Sequence, residues 1–268
     1  MSAESSMAPL KRLLRFPFQE AQWQGKFVIG SALGLAGSVI PIIPTIFVWG
    51  YCLRVMRQAI AGQAPALPQW DEWSDLFRDG LSAFAIGLVY FLPALLVWLV
   101  GMGLYFAGSF YLPFAAATGG DEVEIITQFM LITFGSMAVM FLAMALGTLL
   151  MILGAIALPM ATAHFVAEGR LGAAFRVRQW WRILKADRLG YFAAWVVVAG
   201  IFAVLYAAMM VLYSTMILCV LIPILAAPIS FYLFLVGAAV FGETYRDSAA
   251  VLPEITEAEG AEEEDLEA

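Results

Sequence analysis

Polar and apolar positions fall in blocks along this chain. Leu81–Gly108, Ile125–Ala163 and Gly190–Gly242 contain no Asp, Glu, Lys or Arg, and an uncharged stretch of about 20 residues is enough to cross the hydrocarbon core as a helix. No run shows the alternation over about ten residues that a spanning barrel needs. An earlier apolar stretch, Phe27–Leu53, is interrupted at its middle by Pro41 and Pro44. Each proline removes an amide donor and breaks a helix. The pattern therefore predicts a short hairpin turning at Pro-Ile-Ile-Pro. Its arms are on the order of 20 Å long, so it is shallow or re-entrant and covered by its neighbours. A single tilted crossing is the other reading, which gives five crossings instead of six.

Ahead of each apolar pair lies a short segment rich in Trp or Phe: Leu13–Lys26, Trp70–Asp79 and Leu171–Arg188. The expected fold is an all-α polytopic membrane protein. It is a six-helix bundle of three helical hairpins, the first short and Pro-broken, each preceded by a cytoplasmic amphipathic interfacial helix. Pseudo-repeats span about 10–62, 68–168 and 170–247 within a single membrane domain, 1–247, and 248–268 is expected to be an acidic, disordered cytoplasmic tail.

Read as a helix, 70–81 sets Trp70, Trp73, Phe77 and Leu81 on one face and Asp71, Asp75 and Asp79 on another. Pro68 precedes it, and Gly80 offers a turn into the membrane. The third segment is the electrostatic opposite: Ala174, Val177, Trp181 and Leu184 supply an apolar face, and Arg178, Arg182 and Lys185 a basic stripe. Trp70, Trp73 and Trp181 are expected as anchors at headgroup level. Two uses of the basic stripe stand side by side. It could hold anionic lipid headgroups, each cation contributing about 1 kcal/mol near the surface. It could instead clamp onto Asp71, Asp75 and Asp79, where an exposed pair is worth about 0–1 kcal/mol.

Composition narrows the class. With 63% apolar residues, 13% charged and a mean hydropathy of +0.88, a soluble domain is excluded. The net charge of −7 misleads, because Glu254–Glu267 holds eight acidic residues and the rest of the chain sets 14 basic residues against 13 acidic ones. Asp121, Glu122 and Glu124 occupy a connection without Lys or Arg, whereas Arg170, Arg176, Arg178, Arg182, Lys185 and Arg188 crowd the next. The positive-inside rule makes the first external and the second cytoplasmic, with both termini in the cytoplasm of a cell membrane. With the first hairpin turned at its prolines, all fourteen basic residues lie on that side. Residues 1–26 show no apolar core followed by a small-residue cleavage site. Cys52 and Cys219 sit in apolar segments and read as small buried hydrophobes.

Candidate chemistry is sparse. The single histidine, His164, closes an apolar run beside Thr162 and reads as a polar residue at a helix mouth. No catalytic motif, metal-ligand cluster, phosphate-binding glycine loop or cofactor signature is present, and no nucleic-acid partner is expected. Gly30-x-x-x-Gly34, Ala143, Gly147 and Gly154 suit close helix packing. The long apolar runs carry no charge at mid-depth of the kind ion-coupled carriers use.

One block of residues is specific: Gly50-Tyr51-x-x-Arg54-x-x-Arg57, then Leu67-Pro68-x-Trp70-x-x-Trp73-x-x-Leu76-Phe77-x-Asp79-Gly80, then Tyr90-x-Leu92-Pro93. With the weaker Gly169-x-x-x-Ala173-Ala174-Phe175 and Gly242-x-x-Tyr245-Arg246, it resembles a prokaryotic membrane-protein family known as domain of unknown function 4013. The resemblance covers about residues 10–247. It implies a cytoplasmic-membrane protein and carries no catalytic residues with it. More distantly, the hairpin repeat is similar to the membrane domain attached to some glycerophosphodiester phosphodiesterases, without a catalytic domain.

These features point to a non-catalytic accessory, scaffold or assembly subunit of a membrane complex. Its partners would be the bilayer, anionic headgroups and another membrane protein. A pore or carrier for a small or lipophilic compound is the alternative, and it requires a polar path between hairpins. A membrane-embedded enzyme would require His164 to converge with Asp71, Asp75 and Asp79.

Overall fold

The computed structural model describes residues 11–117, 122–214 and 221–267, the side chains of 111–117, 122 and 253–267 excepted. Regular structure among these residues is helical throughout: α1 (Trp23–Val39), α2 (Ile43–Ile60), α3 (Trp73–Ala117), α4 (Glu122–Glu168), α5 (Val177–Ala186), α6 (Arg188–Ser214) and α7 (Ile222–Glu267). Short 3₁₀ turns at Phe16–Phe18 and Leu171–Phe175 precede α1 and α5. Among the described residues, four helices are long and apolar enough to cross a membrane: Trp73–Phe110, Val123–Glu168, Arg188–Ser214 and Ile222–Leu252. The chain is a multi-pass helical membrane protein.

The charge-free runs account for those four helices. In water, helices carrying Leu99, Val100, Phe134 and Leu142 at 61–69% exposure would be untenable; in a bilayer, such side chains meet acyl chains. The Pro-Ile-Ile-Pro stretch turns where its prolines predict. Helix α1 ends at Val39, α2 begins at Ile43, and the two pack on each other. Pro44 falls in the first turn of α2, where its missing amide costs nothing. Ile42 takes φ 78° and ψ −64° while the Ile43 amide donates to the Pro41 carbonyl at 3.1 Å. That is the strained form of the γ-turn. With 17 and 18 residues, α1 and α2 are each short of the about 20 apolar residues of an ordinary crossing.

The molecule divides into two compact units, Met1–Ile86 with Pro159–Ala268, and Gly87–Leu158. In the first, α7 is the central helix, touching α1, α2, α5 and α6. Its apolar span is 56% buried, against 6% for that of α6, so α7 supplies the core and α6 its outer wall. Phe231 of α7 packs on Tyr51 of α2 with ring centres 5.8 Å apart, and Leu235, Val236 and Ala239 of α7 and Val55 and Ala59 of α2 are, like them, at most 1% exposed. Gly242 of α7 lies on α2, where an added Cβ would come within 2.8 Å of the Ala59 methyl. Gly30 faces the Phe231 ring and Gly34 faces Ala227, as small-residue packing predicts. Helix α7 continues past position 247, with Ser248 fully buried and its hydroxyl bonded to the Thr244 carbonyl. The acidic stretch 254–267 lies outside the described side chains.

The second unit is an antiparallel pair built on small residues. Gly101 of α3 meets Ala143 of α4, Gly108 meets Ser136, and Gly147 meets Trp98. Gly154 faces the Tyr90 carbonyl. Ala143, Gly147 and Gly154 thus serve the close packing expected of them.

The three segments ahead of the apolar pairs differ from expectation, Leu171–Arg188 by dividing into a 3₁₀ turn, α5 and the first residue of α6. Leu13–Lys26 is not one helix: it contains a 3₁₀ turn and the start of α1. Trp70–Asp79 is not a separate element. Trp70 belongs to the preceding loop, and α3 runs from Trp73 straight through Gly80. Gly80 makes no turn because its missing side chain serves contact. A Cβ there would strike the Ile46 carbonyl of α2, and one on Gly50 would strike the Leu76 carbonyl of α3. The two helices therefore cross backbone against backbone, each glycine opposite the other helix's peptide.

That crossing generates a stability prediction. Gly80→Ala should lower stability by about 1–3 kcal/mol, because a backbone carbonyl cannot swing aside as a side chain can. Gly237→Ala on α7, with open space at its Cβ, should be neutral or stabilising by up to about 1 kcal/mol. Thermal unfolding of both variants in one detergent checks the contrast.

Candidate functional site

Helix α2 ends in an arginine pair, and the chain then runs from Ala61 to Glu72 as a loop before α3 starts. Three polar or aromatic residues of this loop, Trp70, Asp71 and Glu72, are tied to α1 or α2. Tyr51 stacks on Trp70 with ring centres 4.1 Å apart and planes 14° from parallel. Its hydroxyl donates to the Pro68 carbonyl at 2.8 Å. Trp70 in turn donates from Nε1 to the Lys26 carbonyl at 2.8 Å and stacks on Trp73. Lys26 bonds the Leu67 carbonyl and pairs with Glu20 at 2.6 Å, while Glu20 accepts the Leu67 amide at 3.0 Å. The loop is thereby pinned to α1 and α2 at Leu67, Pro68 and Trp70.

Charge closes the same corner. Arg54 pairs with Glu72 at 3.0 Å and with Asp71 at 3.5 Å, and Arg57 pairs with Asp79 at 3.2 Å. The expected clamp of Asp71, Asp75 and Asp79 onto Arg178, Arg182 and Lys185 is therefore not what forms. Asp71 and Asp79 take their cations from the end of α2, beyond the Gly50 crossing that brings the helices together. Asp75 lies on the wall of a groove of about 770 Å³, shared with Arg54, Arg57, Arg78, Glu72 and Asp79.

Around α5 the structure corrects the choice of face. Trp180, Ile183 and Leu184 are buried, whereas Val177 is 52% and Trp181 44% exposed. The buried stripe is rotated by one residue from the expected Ala174, Val177, Trp181 and Leu184, though Ala174, in the preceding 3₁₀ turn, and Leu184 are buried as expected. Arg178, Arg182 and Lys185 are exposed, and the Lys185 ammonium lies 5.8 Å from the centre of the Trp181 ring, within reach of a cation–π contact.

His164 has partners that its sequence neighbours do not reveal. It is 4% exposed. Its Nδ1 lies 2.8 Å from the Tyr245 hydroxyl on α7, and its Nε2 3.3 Å from Gln179 Oε1 on α5 and 3.2 Å from Glu168 Oε1. An ionised carboxylate only accepts, which puts a proton on Nε2; in the neutral ring Nδ1 then accepts from the Tyr245 hydroxyl. Glu168 is also 3.5 Å from Arg176. Both ring nitrogens are engaged in joining α4, α5 and α7, and His164 does not line the groove that holds Asp75 and Asp79. The signal that could have found this junction is the pair of end motifs, Gly169-x-x-x-Ala173 and Gly242-x-x-Tyr245, which flank it. Among the described residues, no three His, Cys, Asp or Glu side chains gather as they would to hold a metal ion.

Residues 33–214 match the model of a family described as a protein of unknown function, DUF4013. No curated protein and no solved structure matches the chain, and the more distant likeness to a glycerophosphodiester phosphodiesterase membrane domain draws nothing from these comparisons.

Two of the three tryptophans singled out as surface anchors, Trp70 and Trp181, should separate by mutation. Trp70→Ala, which removes a stack and a hydrogen bond inside the corner, should cost about 3 kcal/mol. Trp181→Ala should change folding stability by less than about 0.5 kcal/mol. His164→Ala should cost about 1–3 kcal/mol by leaving the Tyr245 hydroxyl and Gln179 without their partner. Unfolding midpoints in detergent, referred to the parent protein, report all three.

Proposed function

Since the chain belongs to the DUF4013 family, whose description assigns no function, we propose from its own geometry that it is a non-catalytic accessory, scaffold or assembly subunit of a membrane complex. The observation that carries this reading is how its polar groups are spent. Arg54, Arg57, Lys26 and His164 are tied to partners within the first unit, and Arg12 is tied to the buried Glu243. Among the described residues, one cluster left outward is the Arg178, Arg182, Lys185 and Trp181 side of α5.

Several features support the finer picture. The segregation of basic residues favours a cytoplasmic-membrane protein with both termini in the cytoplasm. The shortness of α1 and α2 favours a re-entrant hairpin beneath α7. Helix α5 would lie in the interface, with Trp180, Ile183 and Leu184 against the bundle and its basic side toward anionic headgroups. The acidic tail would serve as a tether for a basic partner. A carrier reading draws less support, because the centre of the first unit is filled by Tyr51, Phe231, Leu235 and Val236 at 0–1% exposure, which leaves no polar path among the described residues there.

Extraction of the tagged protein from native membranes in mild detergent, followed by mass spectrometry, tests the subunit role. A membrane protein recovered in fixed stoichiometry is the expected result, and recovery as a lone monomer would contradict it. For the interface role, replacing Arg178, Arg182 and Lys185 together by Gln should abolish any preference for anionic over zwitterionic lipid in the surrounding shell. Each cation contributes about 1 kcal/mol there, so the change is measurable by lipid co-purification.

A further inference from the structure

The groove beside the α2–α3 crossing has a composition and a location that single out one ligand chemistry. Three guanidiniums (Arg54, Arg57 and Arg78) and three carboxylates (Glu72, Asp75 and Asp79) line its roughly 770 Å³, within the usual size range of ligand pockets. Arg54 and Arg57 are partly neutralised by Asp71, Glu72 and Asp79. Among the described residues, Asp75 and Arg78 make no ion pair with each other or with any neighbour. The groove therefore offers one uncommitted anion and one uncommitted cation within one helical turn on α3, with Arg57 and Asp79 beside them. A purely anionic ligand would meet three carboxylates and a purely cationic one three guanidiniums. A ligand carrying both signs meets its complement twice.

Depth fixes the source. Asp79 and Ser82, both on the groove wall, straddle the residue at which the charge-free run of α3 begins, Leu81. Phe165 and Gly169, on the same wall, straddle the end of the charge-free run of α4 at Ala167. Two membrane helices thus leave the hydrocarbon at the level of this groove, which is where lipid headgroups sit.

We propose that this groove holds the headgroup of a phospholipid bearing a primary ammonium, of the phosphoethanolamine type. The phosphodiester sits on the guanidiniums of Arg78 and Arg57, which suit phosphate oxygens in planar fork geometry. The ammonium donates to Asp75 and Asp79. A quaternary ammonium cannot donate in this way and is held instead by aromatic faces. Among the described residues, the only aromatic side chain on the groove wall is Phe165, which is 7% exposed, so a choline headgroup lacks its cage here.

The test uses the full chain in mild detergent, exchanged into an equal mixture of phosphatidylethanolamine, phosphatidylglycerol and phosphatidylcholine with identical acyl chains, and read by native mass spectrometry. The expected result is a bound lipid enriched about fivefold or more in phosphatidylethanolamine. Asp75→Asn and Arg78→Gln should each bring the ratio close to one. Arg15→Gln, an exposed cation outside the groove, should leave it unchanged, and matched unfolding midpoints show that all three variants are folded. Equal retention of the three lipids, or a preference for phosphatidylglycerol that persists when Arg178, Arg182 and Lys185 are replaced by Gln, would overturn the proposal. Binding of free phosphoethanolamine without enrichment of its lipid would overturn it as well, by assigning the groove to a soluble zwitterion.

Discussion

The contact on which the rest depends is the backbone crossing of α2 and α3 at Gly50 and Gly80. Helices that approach this closely gain dispersion along the seam and lose nothing to side-chain ordering, which matters in lipid, where apolar surface has no reason of its own to avoid the solvent. The crossing also sets distances elsewhere. It places Arg57 opposite Asp79 and Arg54 near Asp71 and Glu72, and it holds Tyr51 where the returning loop can lay Trp70 on its ring. Each of these contacts is modest alone, and exposed ion pairs contribute only about 0–1 kcal/mol. Their common origin makes them cooperative.

The most specific block of the sequence thereby acquires a physical meaning. Gly50, Tyr51, Arg54 and Arg57 on one helix and Trp70, Trp73, Leu76, Asp79 and Gly80 on the loop and the next are the two sides of one joint. Leu76 is fully buried within it, and its carbonyl is the atom that excludes a side chain at Gly50. The weaker end motifs make a second joint. Gly242 lets α7 down onto α2, and Tyr245 bonds His164 at 2.8 Å. The polar side chains of Arg54, Arg57, Lys26 and His164 are thus spent on joints within the first unit.

Much of the fold was legible in the sequence, for reasons that can be named. Uncharged runs longer than a bilayer leave few options, and prolines separated by two residues leave a helix little choice but to end. The small residues of the α3–α4 seam were legible too, because close packing is their common use. The joints were not. Spacing of three and four says which residues share a helix face but not what lies opposite it, so Asp71, Asp75 and Asp79 could be matched to any basic stripe. Arg178, Arg182 and Lys185 are charged in the same pattern, yet α2 supplies the cations of Asp71 and Asp79. Gly80 was ambiguous in the same way, since a glycine permits either a turn or a close approach. At α5, Trp180 and Trp181 are adjacent, and composition could not tell which of them faces inward.

The most direct measurement is thiol cross-linking in native membranes, with Cys52 and Cys219 replaced and a cysteine placed at Asp79. Paired with Arg57→Cys on α2, Asp79→Cys should be joined efficiently by a short bifunctional reagent, because the native side chains meet at 3.2 Å. Paired with Arg182→Cys on α5, it should not be joined. The reverse pattern would place the acidic stripe against α5, remove the joint between α2 and α3, and contradict the account at its foundation.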